Sequence, residues 1–216
     1  MVLEIYLDPV TINSRKVLAG LDLVKADYHY NYINYFEGGQ KDESFVKNIN
    51  PFATVPAAVD GDLHLTESNA ILQYAADLND SSAYPKDLKK RANVNRWLLW
   101  ETSSWFPSCY VFLIQNVVQP LMGGKPDDSV LSGEAEKWNK LATVLNDELG
   151  KHKFVVGDEV SIADIAIAAP MHLHEASKLP MDKYTNLKRW IGEIEKLPEW
   201  QKTQGAVDKA LLPNKQ

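Results

Sequence analysis

The pattern of apolar residues changes near Lys86, and this change divides the sequence into two parts. Before Lys86, short β-rich segments alternate with amphipathic stretches, whereas after it long helical stretches follow one another with no convincing strand pair. At about 150 residues per domain, a chain of 216 residues is compatible with one large or two small domains. We predict a first domain over residues 1–79, a linker over 80–86 marked by polar turn residues and Pro85, and an all-helical domain over 87–216.

The first part has the predicted element order β-α-β-α-β-β-α. Its opening β-α-β unit implies that the first two strands are parallel. The Asp60-Gly61 pair supplies the positive φ angle that a tight hairpin turn requires, so the third and fourth strands are expected to pair as a hairpin. The expected strands cover residues 2–7, 28–33, 56–59 and 62–65, and the expected helices cover 15–23, 43–48 and 67–78.

The second part has no segment that suits a membrane. Its apolar run from Val111 to Leu121 is interrupted by polar residues and a proline, well short of the roughly 18 apolar residues that a membrane helix needs. The start of the chain lacks a basic segment and a small-residue cleavage site, so we expect a soluble, cytoplasmic protein with no membrane partner. The expected helices cover residues 87–118, 128–150, 162–178, 184–196 and 199–209.

Composition and charge exclude several classes of partner. Apolar residues make up 45% of the chain and charged residues 24%, which suits a globular protein with a sizeable core. Acidic residues outnumber basic ones by 29 to 23, so nucleic acid is not an expected partner. The single cysteine, Cys109, excludes an intrachain disulfide, and His172 and His174 fall on different faces of a predicted helix. No metal site is expected.

The segment from Asn50 to Pro56 contains two prolines just before the predicted hairpin. A proline at the first residue of a strand has no amide hydrogen, and a cis bond between Val55 and Pro56 would turn the Val55 backbone outward. An exposed backbone edge of this kind binds a peptide ligand by strand-like pairing. The alternative is that Pro56 simply begins a strand.

The start of the last helix of the first part also has the features of a ligand site. Ser68 stands where the amides and the dipole of a helix N-terminus favour a ligand carboxylate, and Glu67 beside it suits a ligand ammonium group. Together these groups match the head of an amino acid. Ordinary N-capping by Thr66 or Ser68 is the alternative explanation.

In combination these features resemble the cytosolic glutathione S-transferase family over essentially the whole chain. The resemblance implies a thioredoxin-like first domain that binds glutathione and an all-helical second domain. It extends to the segment Val160–Asp164, which looks like the family's capping box and hydrophobic staple. Among classes, the Asn50–Pro56 segment and the stretch from Gln119 to Asp127 are most similar to the phi class and its bacterial relatives.

The resemblance implies a set of glutathione-binding residues. The backbone of Val55, before Pro56, is expected to hold the cysteinyl part, and Glu67 and Ser68 the γ-glutamyl end. Near the glycyl carboxylate the resemblance implies Gln40 and Lys41, although Lys41 is equally explained as a solvated surface lysine.

The catalytic position implied by the resemblance is the first turn of the first helix. Thr11 stands where phi-like members have serine, and the string from Thr11 to Val17 resembles the Thr-x-Asn-x-Arg-Lys-Val arrangement of some bacterial and nu-like members. A hydroxyl or amide that donates to sulfur stabilises the thiolate, as does a helix N-terminus. Thr11 and Asn13 are therefore the expected donors, with Ser14 as an alternative. The alternative hypothesis is an inactive relative, in which all three residues are only loop or cap residues.

The resemblance further implies an electrophile site between the two domains and a homodimer. Phe52, which projects from the loop before Pro56, is the expected dimer anchor. The expected reaction is thiolate attack on an electrophile. The rivals are a glutathione-dependent peroxidase or disulfide reductase, and a non-catalytic interaction module. The residues expected at the electrophile are Val10, Ile12 and Phe36 from the first domain and Trp105, Phe106 and Tyr110 from the second, although the tryptophan is also explained as core.

Overall fold

The computed structural model of the chain describes residues 2–211, which divide into two compact units. Of the described residues, the first unit contains 2–85 together with 198–211, and the second contains 86–197. This division differs from the expected domains, because the segment after Pro198 belongs to the first unit rather than to the helical one. Within residues 2–211, no helix has the length and the apolar character that crossing a membrane requires.

The first unit is built on a four-stranded sheet with the strand order β2-β1-β3-β4. The strands are β1 (Leu3–Leu7), β2 (Tyr28–Tyr32), β3 (Ala57–Asp60) and β4 (Leu63–Leu65). β1 runs parallel to β2 and antiparallel to β3, and β3 pairs with β4 through the Asp60-Gly61 turn. Leu3, Ile5 and Leu7 alternate with less buried residues and supply the core face of β1.

The helices of the first unit occur in the predicted order, which confirms the thioredoxin-like fold. They are α1 (Ile12–Leu23), α2 (Glu43–Asn48), which follows a short 3-10 turn (Gly39–Lys41), and α3 (Ser68–Leu78). α1 and α3 pack closely at Gly20, where an added Cβ would clash with the side chain of Leu72. α1 begins at Ile12, three residues before the predicted start at Arg15, because Thr11, Asn13 and Ser14 form its first turn.

The second unit is all-helical, as predicted. Its elements are α4 (Leu88–Trp100), α5 (Phe106–Leu113), α6 (Gln119–Leu121), α7 (Asp128–Leu149), α8 (Ile162–Ala168) and α9 (Thr185–Glu195), with π-helical turns at Glu101–Trp105 and Ile114–Val118. Those turns lie just before Pro107 and Pro120, each of which lacks the amide hydrogen that a regular helix would use.

The central helix α8 is completely buried and is fixed at its start by the predicted capping box. Asp164 Oδ2 accepts hydrogen bonds from the backbone nitrogen of Ser161 at 2.9 Å and from its Oγ at 2.7 Å. Asp164 Oδ1 accepts from Val155 N and from the indole nitrogen of Trp190, both at 2.9 Å. The motif is therefore structural, and it anchors two further segments of the unit.

Two predicted helices are shorter than expected. The helix expected over 162–178 ends at Ala168 and continues only as a 3-10 turn (Ala169–Met171), because Pro170 cannot continue the regular hydrogen-bond pattern. The helix expected over 199–209 is divided into α10 (Pro198–Gln201) and α11 (Gln204–Leu211). Thr203 lies at this break and donates its hydroxyl to the backbone oxygen of Trp200 at 2.6 Å.

Arg15 explains why this last segment belongs to the first unit. Its side chain is fully buried, and its guanidinium carbon lies 4.2 Å from the centre of the Trp200 ring. Arg15 Nε donates to Thr203 Oγ1 at 2.8 Å, and Arg15 Nη2 donates to Gln204 Oε1 at 2.5 Å. Arg15 of α1 thus holds α10 and α11 against the rest of the first unit.

Candidate active site

The first turn of α1 contains a pair of hydroxyl groups at short distance. Thr11 Oγ1 lies 2.6 Å from Ser14 Oγ and 3.1 Å from the backbone oxygen of Asp8. Ser14 is completely buried, whereas Thr11 is only half-buried. Of the two hydroxyls, only that of Thr11 is therefore open to a ligand.

The carboxylate of Asp8 holds the loop on which these hydroxyls stand. Asp8 is 1% exposed and lies directly after β1. Its Oδ1 accepts from Val10 N and its Oδ2 accepts from Tyr35 N, both at 3.1 Å. Asp8 thereby connects the β1–α1 loop to the segment that follows β2, so the position of Thr11 is set from two sides.

Asn13 is oriented by a second set of hydrogen bonds that begins at a buried lysine. Lys16 Nζ donates to Ser68 Oγ at 3.2 Å and to Asn69 Oδ1 at 3.3 Å, and Ser68 Oγ donates to Asn13 Oδ1 at 3.4 Å. An ammonium group only donates, so the single hydrogen of Ser68 is directed to Asn13. The Asn13 oxygen is thereby engaged, and within residues 2–211 its amide nitrogen has no hydrogen-bond partner.

The start of α3 differs from an ordinary capped helix. The N-cap residue is Glu67, and no side chain caps this end, so the capping role considered for Thr66 or Ser68 is not observed. Glu67 has φ 65° and ψ 110°, an unusual conformation for a residue other than glycine. Such strained residues cluster at ligand sites. The first amides of α3 and the Ser68 hydroxyl lie together at this end.

The bond between Val55 and Pro56 is cis. Pro56 is buried and Val55 is half-buried, and within residues 2–211 the Val55 backbone has no hydrogen-bond partner. The loop before it is held by Asn50, which is fully buried. Asn50 Nδ2 donates to the Thr54 backbone oxygen at 2.8 Å, and Asn50 Oδ1 accepts from Phe52 N at 2.9 Å.

The comparisons with known proteins agree with this arrangement. A family model described as glutathione S-transferase, N-terminal domain, matches residues 1–77, and one described as glutathione S-transferase, C-terminal domain, matches residues 111–198. A rice protein named probable glutathione S-transferase GSTF2 is 31% identical over 204 residues, which is 93% of this chain and 94% of the relative. The chain belongs to the glutathione S-transferase family.

Solved structures of glutathione S-transferases have the same fold. Maize glutathione S-transferase I in complex with an atrazine glutathione conjugate superposes with a TM-score of 0.87 at 28% identity, over 96% of this chain and 99% of that one. Poplar glutathione transferase F2 superposes with a TM-score of 0.88 at 25% identity, over 96% of this chain and all of that one.

Two further glutathione-binding positions expected for a glutathione S-transferase lie in the 3-10 turn before α2. Gln40 is 6% exposed, and within residues 2–211 its side-chain oxygen has no hydrogen-bond partner, whereas Lys41 is exposed. The hydrogen bonds described above join Thr11 to Ser14 and Asn13 to Ser68. They do not connect either pair to Gln40, Lys41 or Val55.

The residues expected at the electrophile differ widely in exposure. Phe36 is 65% exposed and Val10 is half-buried, but Ile12 is only 8% exposed. In the second unit, Trp105 is fully buried, and its indole nitrogen donates to Ile167 O at 3.0 Å, so it belongs to the core. Phe106 and Tyr110 form a stacked pair with ring centres 5.7 Å apart, and Tyr110 is 43% exposed.

The buried residues that hold the site in place were not predicted from the sequence. Asp8, Lys16 and Asn50 are all buried polar residues that hold loops or side chains named above. A single weak signal was available in the sequence, namely that Lys16 follows an arginine within an amphipathic helix otherwise rich in apolar residues. Its partner at Ser68 lies 52 positions away, and local periodicity does not reveal such a pairing.

Proposed function

We propose that this chain conjugates glutathione to electrophilic small molecules by holding the glutathione sulfur as a thiolate at the first turn of α1. The observation that carries the proposal is the pair of polar groups at this turn, the Thr11 hydroxyl and the Asn13 amide nitrogen. Membership of the glutathione S-transferase family and the likeness to an enzyme solved with a glutathione conjugate support it.

The chemistry asked of these donors is modest. Lowering the pKa of a thiol by about two units corresponds to about 2.7 kcal/mol. A hydrogen bond to a charged acceptor contributes about 1.5–3 kcal/mol, and a helix N-terminus adds about 0.3–1 kcal/mol. Thr11, Asn13 and the N-terminal end of α1 together are sufficient. Holding the thiolate close to the electrophile supplies the rest of the rate, with no covalent enzyme intermediate.

The remainder of glutathione would be held by groups of the first unit. The first amides of α3, beginning with that of Ser68, suit the γ-glutamyl carboxylate, and Glu67 suits the γ-glutamyl ammonium group. The half-buried Val55 backbone suits the cysteinyl part. The unengaged oxygen of Gln40 accepts rather than donates, so Lys41 is the better group for the glycyl carboxylate.

For the electrophile we propose contact with the exposed aromatic residues Phe36 and Tyr110, with the half-buried Phe106 and with Val10. Ile12 and Trp105 are removed from this set because both side chains are buried. We further propose a phi-like class, although the relatives named above are plant proteins rather than bacterial ones, and a cytoplasmic location.

We also propose a homodimer with Phe52 as an anchor. Phe52 is 71% exposed although its backbone nitrogen donates to the fully buried Asn50, so a large aromatic side chain is presented to solvent from an anchored loop. Phe52→Ala should weaken the dimer, as measured by light scattering across a dilution series, while the thermal unfolding of the chain stays unchanged. Leu88→Ala, at an 81% exposed position, is the matched control. An undiminished dimer at low micromolar concentration would refute the anchor role.

Calorimetric titration with glutathione, followed by turnover with a chloronitrobenzene substrate, tests the main proposal. Saturable binding and conjugation are expected. No detectable heat at millimolar glutathione would overturn the proposal and favour an interaction module. Binding with rapid hydroperoxide or disulfide reduction but no conjugation would favour the peroxidase or reductase reading instead.

A further inference from the structure

In the hydroxyl pair of Thr11 and Ser14, the single hydroxyl hydrogen of Thr11 cannot serve every acceptor at once. Thr11 has one hydroxyl hydrogen and two acceptors in reach, the Asp8 backbone oxygen at 3.1 Å and Ser14 Oγ at 2.6 Å. In the structure the Thr11 hydroxyl donates to Ser14 Oγ, so when its hydrogen turns to a ligand sulfur no Thr11 hydrogen remains between the two oxygens. To stay within hydrogen-bond distance, the two oxygens then need another hydrogen between them. Only the hydroxyl of Ser14 can then supply it.

We propose that Ser14 is a positioning residue that donates its hydrogen to Thr11 Oγ1 and so directs the Thr11 hydrogen to the glutathione sulfur. This inference rests on the proposed function, in which Thr11 donates to that sulfur. Ser14 is completely buried and lies one helical turn from Thr11, so it acts on the sulfur through Thr11 and does not touch the ligand.

The backbone around the pair is suited to this arrangement. When the Thr11 hydroxyl turns from the Asp8 backbone oxygen to the sulfur, that oxygen retains the hydrogen bond from Thr11 N at 3.1 Å. The turn therefore leaves no buried acceptor without a partner, which would otherwise be unfavourable. The Asp8 carboxylate meanwhile accepts from Val10 N and Tyr35 N and keeps the loop in place.

Two effects follow for the thiolate. A hydroxyl that accepts a hydrogen bond becomes a better donor, because hydrogen bonds in a chain polarise one another. The donation from Ser14 also restricts Thr11 to the rotamer that faces the sulfur. Loss of Ser14 should therefore raise the pKa of the bound thiol and lower kcat at neutral pH, with little change in KM for glutathione.

A double-mutant cycle tests the proposal with Thr11→Ala, Ser14→Ala and the combined variant. The measurements are conjugation rates across pH and the pKa of bound glutathione from thiolate absorbance. We expect Ser14→Ala to lower kcat about 3- to 10-fold and Thr11→Ala about 10- to 100-fold near neutral pH. The combined variant should equal Thr11→Ala alone, because Ser14 has no separate route to the sulfur.

Ser14→Cys is the control for loss of folding, because a thiol is similar in size to a hydroxyl but donates hydrogen bonds only weakly. A thermal unfolding measurement should show that Ser14→Cys is folded. The pH profile of its conjugation rate should lie between those of the wild type and Ser14→Ala. Additive effects in the combined variant, or an unchanged pH profile in both Ser14 variants, would overturn the inference while conjugation by the wild type would still support the proposed function. A wild-type chain that binds no glutathione would overturn both.

Discussion

Two polar clusters, one in each unit, differ in whether their hydrogen-bonding groups are all engaged within the protein. In the Asp164 cluster (Val155, Ser161, Asp164 and Trp190), both carboxylate oxygens accept two hydrogen bonds each. In the α1 cluster (Asp8, Thr11, Asn13 and Ser14), the Asn13 amide nitrogen has no partner within residues 2–211, and the Thr11 hydrogen is shared between acceptors. The first cluster is complete without a ligand. The second has donors to offer.

Only the α1 cluster has unengaged donors. This difference separates a cluster suited to ligand chemistry from one that serves folding. Burial raises the pKa of the Asp164 carboxyl, and the four donors around it oppose that effect, so the group belongs to the interior of the unit. A buried network whose members are all engaged specifies one packing arrangement. A network with directed but unengaged donors is arranged to bind a ligand. Mutations in the first cluster should therefore change stability, and those in the second should change activity.

The largest expected effect is on stability in the Asp164 cluster. Asp164→Ala leaves three buried N–H groups and one hydroxyl without an acceptor, and each unpaired buried donor costs about 1–3 kcal/mol. We expect the free energy of unfolding, measured by urea denaturation, to fall by about 3–5 kcal/mol.

Ser161→Ala is the matched control for this variant. It removes only the capping hydroxyl and should cost about 1 kcal/mol. The glutathione affinity of both variants should be unchanged at a temperature where they are folded. A loss below about 1 kcal/mol for Asp164→Ala would show that the cluster does not stabilise the second unit.

The next effect concerns the α1 cluster and has the opposite character. Thr11→Ala should lower kcat/KM about 10- to 100-fold near neutral pH, because a hydrogen bond to a charged acceptor contributes about 1.5–3 kcal/mol. The loss should be partly recovered at high pH, where free thiolate accumulates, and glutathione affinity should change little. The stability of the chain should also change little, since Thr11 makes no side-chain cap to its helix.

Thr11→Ser, which keeps the hydroxyl, is the control and should retain most of the activity. Asn13→Ala measured in parallel compares the two donors. If Thr11→Ala keeps full activity and an unshifted pH profile while Asn13→Ala does not, the amide is the main donor and the threonine assignment is incorrect.

The same contrast explains what could be predicted from the sequence. The element order, the Asp60-Gly61 hairpin and the reciprocal contacts of Ser161 with Asp164 depend on neighbours within a few positions, and all were predicted correctly. The donation from Trp190 to Asp164 spans 26 positions, and that from Lys16 to Ser68 spans 52. Such pairings depend on how elements pack, which periodicity alone does not describe.

Errors at the ends of elements have a related cause. The helix expected over 162–178 follows an apolar pattern that continues past Pro170, but the missing amide of that proline ends the regular helix. The segment after Pro198 reads as an ordinary amphipathic helix, and only the burial of Arg15 against Trp200 shows that it belongs to the first unit. In both cases a single side chain outweighs the average pattern.

The smallest expected effect concerns Cys109, a buried group in the second unit that lies outside both clusters. Its thiol is fully buried, and burial raises its pKa above the ordinary value of about 8.5. In the unfolded chain the thiol ionises near that ordinary value, whereas in the folded chain it stays protonated. The stability that depends on this difference is therefore complete below about pH 8.5 and is lost as pH rises above it.

We expect the stability of the wild type relative to Cys109→Ala to be constant from about pH 6 to 8 and then to fall by about 1 kcal/mol per pH unit up to about pH 10. The tyrosines with raised pKa values, Tyr28, Tyr30, Tyr32 and Tyr74, are present in both chains and cancel in this difference. Urea denaturation of the two chains across this range gives the measurement. A flat difference above pH 9 would mean that the thiol ionises in the folded state, and Cys109 would then have to be regarded as an accessible, reactive group.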